Sequence, residues 1–347
     1  MRCTQSVITM RIQLAAVALL VTTSLSAQSL EDLDVSGYVQ AQFVSDERSQ
    51  DELTGSGSKN RDQFSIRRGR LTAAYQVTDA VRVVAQTDLS SSGVSLKDLY
   101  VELTEPWTGW KNTLRAGQFI WPFGFELQYS ASAREMPEQS RVVRTLFPDE
   151  RDRGVMLSGR AAGENLRYQL AVVNGTGVEY SGDLNQEKDV VGHVAYARGG
   201  VGLGASAYRG ESLVATAANQ AGVDFEKQRH GVDVQWTTPL PGFTVRAEYI
   251  AGKEPPAPNT IRSESHDVTG WYAYALQRLG KRHQLVARLD EYDPDTDIAG
   301  NAVRTLAAGY VFDFDKHSRV MLAYEMPRTE EGDIDDDVLT VRYQLKF

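Results

Sequence analysis

The last nine residues, Leu339-Thr340-Val341-Arg342-Tyr343-Gln344-Leu345-Lys346-Phe347, decide how this chain is read. Leu339, Val341, Tyr343, Leu345 and Phe347 alternate with Thr340, Arg342, Gln344 and Lys346. Successive side chains of a β-strand point to opposite faces, so this stretch makes one wholly apolar face and one polar or charged face. A strand of that kind requires hydrocarbon or protein core on one side and water on the other.

The same period-two pattern recurs back to Asp34, in segments of about ten residues separated by turn residues. It predicts strands near 33–44, 64–77, 81–90, 94–104, 113–120, 153–160, 166–174, 189–198, 201–209, 229–237, 243–252, 266–278, 282–292, 301–313, 317–326 and 337–347. These number about sixteen, an even count. In hydrocarbon every backbone N–H and C=O must find a partner in a neighbouring strand, so such a sheet has to close on itself. The fold class predicted is therefore all-β, a transmembrane antiparallel β-barrel.

The connections sort into two classes. Those after even-numbered strands are short, such as Thr78 to Ala80, Gly199-Gly200 and Gly280-Lys281. Those after odd-numbered strands are mostly long and polar, such as Ser45 to Asp62, Gly175 to Lys188, Gly210 to Gln228 and Lys253 to Ser265. Short periplasmic turns and long external loops are the asymmetry of a barrel in the outer membrane.

Composition excludes several other classes. The chain is 41% hydrophobic with a mean hydropathy of −0.36. Its only sustained apolar run, Leu14 to Val21, is too short to cross a bilayer as a helix. Arg2 and Arg11, the apolar stretch Ile12 to Val21 and the small residues Ser24 to Ala27 instead form a secretory signal over 1–27, with Met10 an alternative start. The barrel domain is expected over 28–347. Removal of Arg2 and Arg11 moves the formal charge from −9 to −11 and discards Cys3, the only cysteine, so disulfide and thiol chemistry drop out.

One connection is exceptional. Trp121 to Asp152, after the fifth strand, runs to about 32 residues, and structureless loops beyond about 12–15 residues are usually functional or disordered. A barrel of this size has room for an aqueous channel, so this loop is expected to fold inward and narrow it, the alternative being an outward surface loop. Tyr38, Tyr75, Tyr100, Trp107, Trp110, Trp121, Tyr168, Tyr249, Trp271, Tyr272, Tyr324 and Tyr343 lie near predicted strand ends, where interface girdles form.

Several segments resemble the phosphate-selective porin O and P family. They are Phe64 to Arg70 (FSIRRGR), Leu96 to Leu103 (LKDLYVEL), Leu114 to Phe119 (LRAGQF) with Pro122 to Gly124, Phe147-Pro148 with Arg151 to Gly154, and Asp189 to Tyr196 (DVVGHVAY). The resemblance implies a sixteen-stranded, trimeric, anion-preferring channel with the loop after its fifth strand inside the pore. Phe347, with Tyr343 and Leu345, also resembles the C-terminal signal by which barrel-assembly machinery recognises its clients.

A channel for small anions, phosphate and other oxyanions among them, needs cations facing water inside the barrel. Arginine suits this best, because its planar fork stays charged and pairs with phosphate or carboxylate. By alternation Arg68, Arg70, Arg82, Arg115, Arg160, Arg167, Arg246, Arg288, Arg319 and Arg342 face the lumen, and the long loop adds Arg134, Arg141, Arg144, Arg151 and Arg153. The pore-lining, anion-binding candidates are Arg68, Arg70, Arg115, Arg134, Arg141, Arg144, Arg151, Arg153 and Arg160. The alternative for any one of them is a structural ion pair, since Asp88, Asp98, Glu102, Glu248 and Asp290 face the same way and the loop carries Glu126, Glu135, Glu138, Asp149, Glu150 and Asp152.

Opposed clusters of this kind set a transverse field across the pore, and the nine lysines that follow the signal are scattered. His193, His230, His266, His283 and His317 are scattered too, and no nucleophile elbow or metal-ligand spacing accompanies them. No catalytic residue, metal, cofactor or nucleic-acid partner is expected. The expected partners are small anionic solutes, outer-membrane lipid and lipopolysaccharide, the assembly machinery and two further copies of the chain. A barrel hydrolase and a plugged structural or adhesive barrel stand as the alternatives.

Overall fold

The computed structural model describes residues 32–46, 61–91, 93–107, 111–148, 150–178, 183, 185–215, 219, 222–258, 264–329 and 337–347. The expected signal over 1–27 lies outside the described residues, as do most of the first long loop and residues 330–336.

Sixteen strands form: β1 (Leu33–Asp46), β2 (Arg61–Thr78), β3 (Val81–Ser90), β4 (Gly93–Thr104), β5 (Thr113–Ile120), β6 (Arg151–Ala161), β7 (Leu166–Val173), β8 (Asp189–Arg198), β9 (Val201–Val214), β10 (Val223–Thr237), β11 (Phe243–Glu254), β12 (His266–Leu279), β13 (His283–Asp293), β14 (Val303–Asp313), β15 (Ser318–Thr329) and β16 (Val338–Lys346). Each pairs antiparallel with its chain neighbours, and β1 pairs with β16 to close the barrel. The seam is sealed by backbone bonds in both directions between Gly37 and Phe347, each 3.0 Å. A closed sheet leaves no edge, which is the condition for surviving in lipid.

Which face meets lipid follows from β16. Val341, Tyr343 and Leu345 are 38%, 44% and 43% exposed, whereas Thr340, Arg342 and Gln344 are 5%, 1% and 1% exposed. Apolar outside and charged inside inverts the rule for soluble proteins, and only hydrocarbon around the barrel makes it stable. Tyr168, Tyr249, Trp271, Tyr324 and Tyr343 lie on that outer face. Tyr38, Trp121 and Tyr272, read from sequence as girdle residues, are instead buried within the barrel.

Two boundaries differ from expectation for a physical reason. β9 and β10 run on to Val214 and back to Val223, with Gly210 paired to Lys227 and Glu211 to Glu226. Alternation marks a strand only where one face meets hydrocarbon. Beyond the apolar belt the ladder continues without it. β6 begins at Arg151, so Arg151 and Arg153 belong to the wall and not to the long loop.

Two β-bulges matter more. β2 shifts register opposite Gln40 and Ala41, and β4 shifts opposite Gln86 and Thr87. A bulge inserts one unpaired residue and re-aims the side chains beside it. In β2 the exposed apolar set therefore runs Phe64, Ile66, then Leu71, and in β4 Val94, Leu96, then Leu99 and Val101. At each phase slip two consecutive residues face inward, Arg67 with Arg68 and Lys97 with Asp98.

Candidate functional site

Between β5 and β6 the chain runs across the barrel interior, and its attachments trace the crossing. Gly124 donates its N–H to Ser206 Oγ of β9 at 2.8 Å. The N–H groups of Phe125 and Glu126 both reach Glu248 Oε2 of β11, and Tyr274 of β12 donates to Glu126 Oε1 at 2.7 Å. The short helix α1 (Arg141–Leu146) follows, with the Arg141 N–H on Asp290 Oδ1 of β13 at 3.2 Å. On the far wall Gln40 of β1 donates to the Ala131 carbonyl at 3.2 Å and Gln344 of β16 to that of Ser132 at 3.0 Å. Strands on opposite sides of a barrel share a partner only through the lumen.

Apolar packing holds the same segment. Phe119, Trp121, Phe123, Leu127, Met136, Val142, Val143, Leu146 and Phe147 form one cluster with the inward residues Tyr208, Ile250, Val268 and Tyr272. Burial of each large apolar side chain contributes roughly 1.5–3 kcal/mol. The wall accommodates them with glycine. A methyl added at Gly231 would sit 3.0 Å from the Phe123 ring, at Gly270 2.5 Å from Val142 Cγ2, and at Gly309 2.8 Å from Met136 Sδ. Three alternate strands, β10, β12 and β14, thus carry sockets for three side chains of the segment. Gly124, in the left-handed region at φ 58, allows the turn that presses the chain onto Glu248.

The crossing chain divides the lumen into two aqueous spaces. One, of about 440 Å³, lies at the long-loop end against β1–β4 and β14–β16. The other, of about 1250 Å³, lies at the short-turn end and is lined by Lys111, Arg160, Arg167, Phe125, Tyr129 and His193 among others.

The smaller space carries the electrostatics. Arg67, Arg68, Arg70, Lys97, Arg141, Arg144 and Arg342 line it, against Asp46, Asp88, Glu138, Glu150 and Glu325. Among the described residues seven cations face five carboxylates, a formal surplus of two. Glu138 is gripped by Arg67 Nε at 2.8 Å, Arg68 Nη2 at 2.9 Å and Arg342 Nη2 at 2.6 Å. Burial alone would raise its carboxyl, but Arg68, Arg342 and Arg67 outweigh burial and hold it well below the usual carboxylate range. Glu150 takes Arg134 at 3.2 Å and Arg151 at 2.9 Å, with Arg70 at 3.7 Å. There too the guanidiniums overcome burial, lowering the carboxyl to about 2.

The family follows from a comparison of sequence. A family model described as phosphate-selective porin O and P matches residues 38–223, more than half of the chain. The chain belongs to that family. Comparison with curated proteins finds no match. Among solved structures the chain is similar to the anion-selective porin from Comamonas acidovorans, at 11% identity over 91% of this chain and 99% of that one, with a TM-score of 0.66. It is also similar to OmpT of Vibrio cholerae in its trimer form, at 11% identity, 91% and 99% coverage and a TM-score of 0.63. The outer membrane channel DcaP of Acinetobacter baumannii is a third, at 12% identity, 91% and 97% coverage and a TM-score of 0.63. At these identities the likeness is one of fold, the closed barrel of an outer-membrane porin.

Within this porin the nine arginines singled out from sequence separate into groups. Arg68, Arg70, Arg141 and Arg144 line the smaller space, and Arg134 and Arg151 reach it only through Glu150. Arg115 pairs with Glu102 at 2.7 Å, below the crossing chain. Arg160 is exposed at the turn after β6, 3.4 Å from Glu164. Arg153 donates to the Val178 carbonyl of the next long loop at 3.4 Å. Sequence reasoning missed Arg67 and Lys97, which strict alternation would turn toward lipid. The signal was present, in the one-residue slip of the apolar positions on either side of each. Among the described residues Lys97 and Arg144 line the smaller space without a carboxylate partner. Arg144 stands exposed on α1.

Proposed function

We propose that this porin lets small polar solutes diffuse passively through the barrel, with a preference for anions set in the space at the long-loop end. The observation that carries the reading is that, among the described residues, Lys97 and Arg144 line that space without an ion-pair partner, above a formal surplus of two positive charges. Guanidiniums that share a carboxylate, as Arg67, Arg68 and Arg342 share Glu138, have part of their charge neutralised at contact distance. Free cations at a narrow, low-dielectric passage raise the local concentration of anions. The anion selectivity named for the Comamonas acidovorans porin supports the same reading. Phosphate and other oxyanions suit the site chemically, since an arginine fork and an ammonium together match a tetrahedral oxyanion.

The reading assigns no catalytic step and no cofactor to the chain. It includes export by the segment 1–27, recognition by assembly machinery through Tyr343, Leu345 and Phe347, contact with lipopolysaccharide at the long-loop rim, and assembly as a homotrimer. The trimer form of the similar OmpT supports the last of these.

Reversal potentials under a salt gradient across a planar bilayer test it. The wild type is expected to favour chloride over potassium. Lys97→Ala with Arg144→Ala is expected to lower that permeability ratio at least about twofold. Arg134→Ala, which strips a buried partner from Glu150, is expected to lower thermal stability more than selectivity. A double variant with the wild-type reversal potential overturns the assignment.

A further inference from the structure

The short-turn end carries a feature that conduction does not use. Most turns there bear few basic residues. Thr238 to Gly242 has no charge, and Gly199-Gly200 is a tight glycine pair, both residues at positive φ. Two adjacent turns differ. The one between β12 and β13 presents Lys281 and Arg282, and the one between β14 and β15 presents Lys316 and His317, all four exposed. The turns are tied side by side by the Asp313 N–H on the Arg282 carbonyl at 2.8 Å.

The acidic residues nearby are already engaged. Asp313 is shared by Arg278 at 3.3 Å and Arg319 at 3.0 Å. Asp315 accepts the N–H groups of His317 at 2.7 Å and Ser318 at 2.8 Å within its own turn. Lys281, Arg282 and Lys316 have no ion-pair partner among the described residues. Three free cations on one patch stand out on a chain whose formal charge is −9.

What lies beside the patch defines the ligand. The outer face just above it is aromatic and apolar: the His283 ring lies 5.1 Å from that of Phe312, which lies 4.9 Å from that of Phe314. Phe314 and Leu285 are 48% and 47% exposed. Lys281 precedes His283 by two residues in the turn, so its backbone lies within about 7 Å of that of His283. That is the depth of a headgroup layer beside the hydrocarbon.

We propose that these paired turns form a docking site for an anionic phospholipid of the leaflet that the short turns face. Its phosphate is held by Lys281, Arg282 and Lys316, and its acyl chains lie on Leu285, Phe312 and Phe314. The proposal rests on the porin reading for the barrel's place in a bilayer, and not on its ion preference.

Native mass spectrometry of the detergent-purified protein, offered phosphatidylglycerol or phosphatidylcholine, tests it. Wild type is expected to retain phosphatidylglycerol at least about fivefold better. Lys281→Glu with Arg282→Glu and Lys316→Glu is expected to abolish the preference. A control with the same charge change at the long-loop end, Lys188→Glu with Arg209→Glu and Lys253→Glu, is expected to keep it. The milder pair Lys281→Ala with Lys316→Ala serves if the triple variant fails to form a heat-resistant barrel, and is expected to reduce retention. Equal retention of both lipids by wild type, wild-type retention by either patch variant, or displacement of the lipid by glycerol phosphate alone overturns the proposal. Conductance in neutral bilayers separates it from the porin reading: its absence in wild type removes that reading, while normal conductance with no lipid preference removes only this one.

Discussion

Replacing Gly270 by leucine is expected to push helix α1 off the barrel wall into the smaller space that its Arg141 and Arg144 line, and to lower single-channel conductance by about twofold or more, with added flicker. Val142 is seated directly over Gly270, and a Cβ there would come within 2.5 Å of its Cγ2. One partner has to move. The wall is fixed by ladder bonds on both sides, to β11 and to β13, so β12 has nowhere to go. α1 is only six residues long and is held by the buried faces of Val142, Val143 and Leu146 and by the Arg141 N–H on Asp290. An overpacked contact costs about 1–3 kcal/mol, comparable to what one of those side chains contributes. The helix therefore shifts and the barrel stays. Conductance recorded alongside heat-modifiable mobility checks both halves, and an unchanged conductance would show that Val142 slides without releasing the helix.

This contrast between wall and crossing chain also explains how much the sequence disclosed. The barrel was legible because alternation such as Val341, Tyr343 and Leu345 against Arg342 and Gln344 is imposed by the membrane itself, strand by strand. The crossing chain obeys no such period. Its length was visible, but its sockets were not, since Gly231, Gly270 and Gly309 look like ordinary strand glycines until Phe123, Val142 and Met136 are placed over them. The ion pairs were half legible. Facing was readable by alternation for Arg70 and Asp88. Facing at Arg67 and Lys97 needed the bulges, and which arginines remain free needed partners distant in sequence, as with Glu138 and Arg342.

Glu138→Gln is expected to raise the chloride-to-potassium permeability ratio severalfold while loosening the crossing chain. The carboxylate neutralises part of the charge of three guanidiniums at once, and Arg288 holds its backbone carbonyl at 3.0 Å. Glutamine keeps the shape but removes the charge, so among the described residues the smaller space moves from seven cations against five carboxylates to seven against four. Leaving Arg68 and Arg342 buried without their counter-charge costs about 3 kcal/mol, which should appear as a lower melting temperature.

Acid provides an independent check with a definite sign. Carboxylates whose folded values are depressed stabilise fully above their ordinary value, and that stabilisation is lost as pH falls through the folded value. For Glu150 the window runs from 4.5 down to about 2, and Glu138 behaves in the same direction. The difference in reversal potential between wild type and Glu138→Gln is therefore expected to hold steady from pH 7 to about pH 4. A difference that vanishes as pH falls from about 6 to about 4 would show that Glu138 is not held ionised by its arginines, and with that the account of the crossing chain's anchor fails.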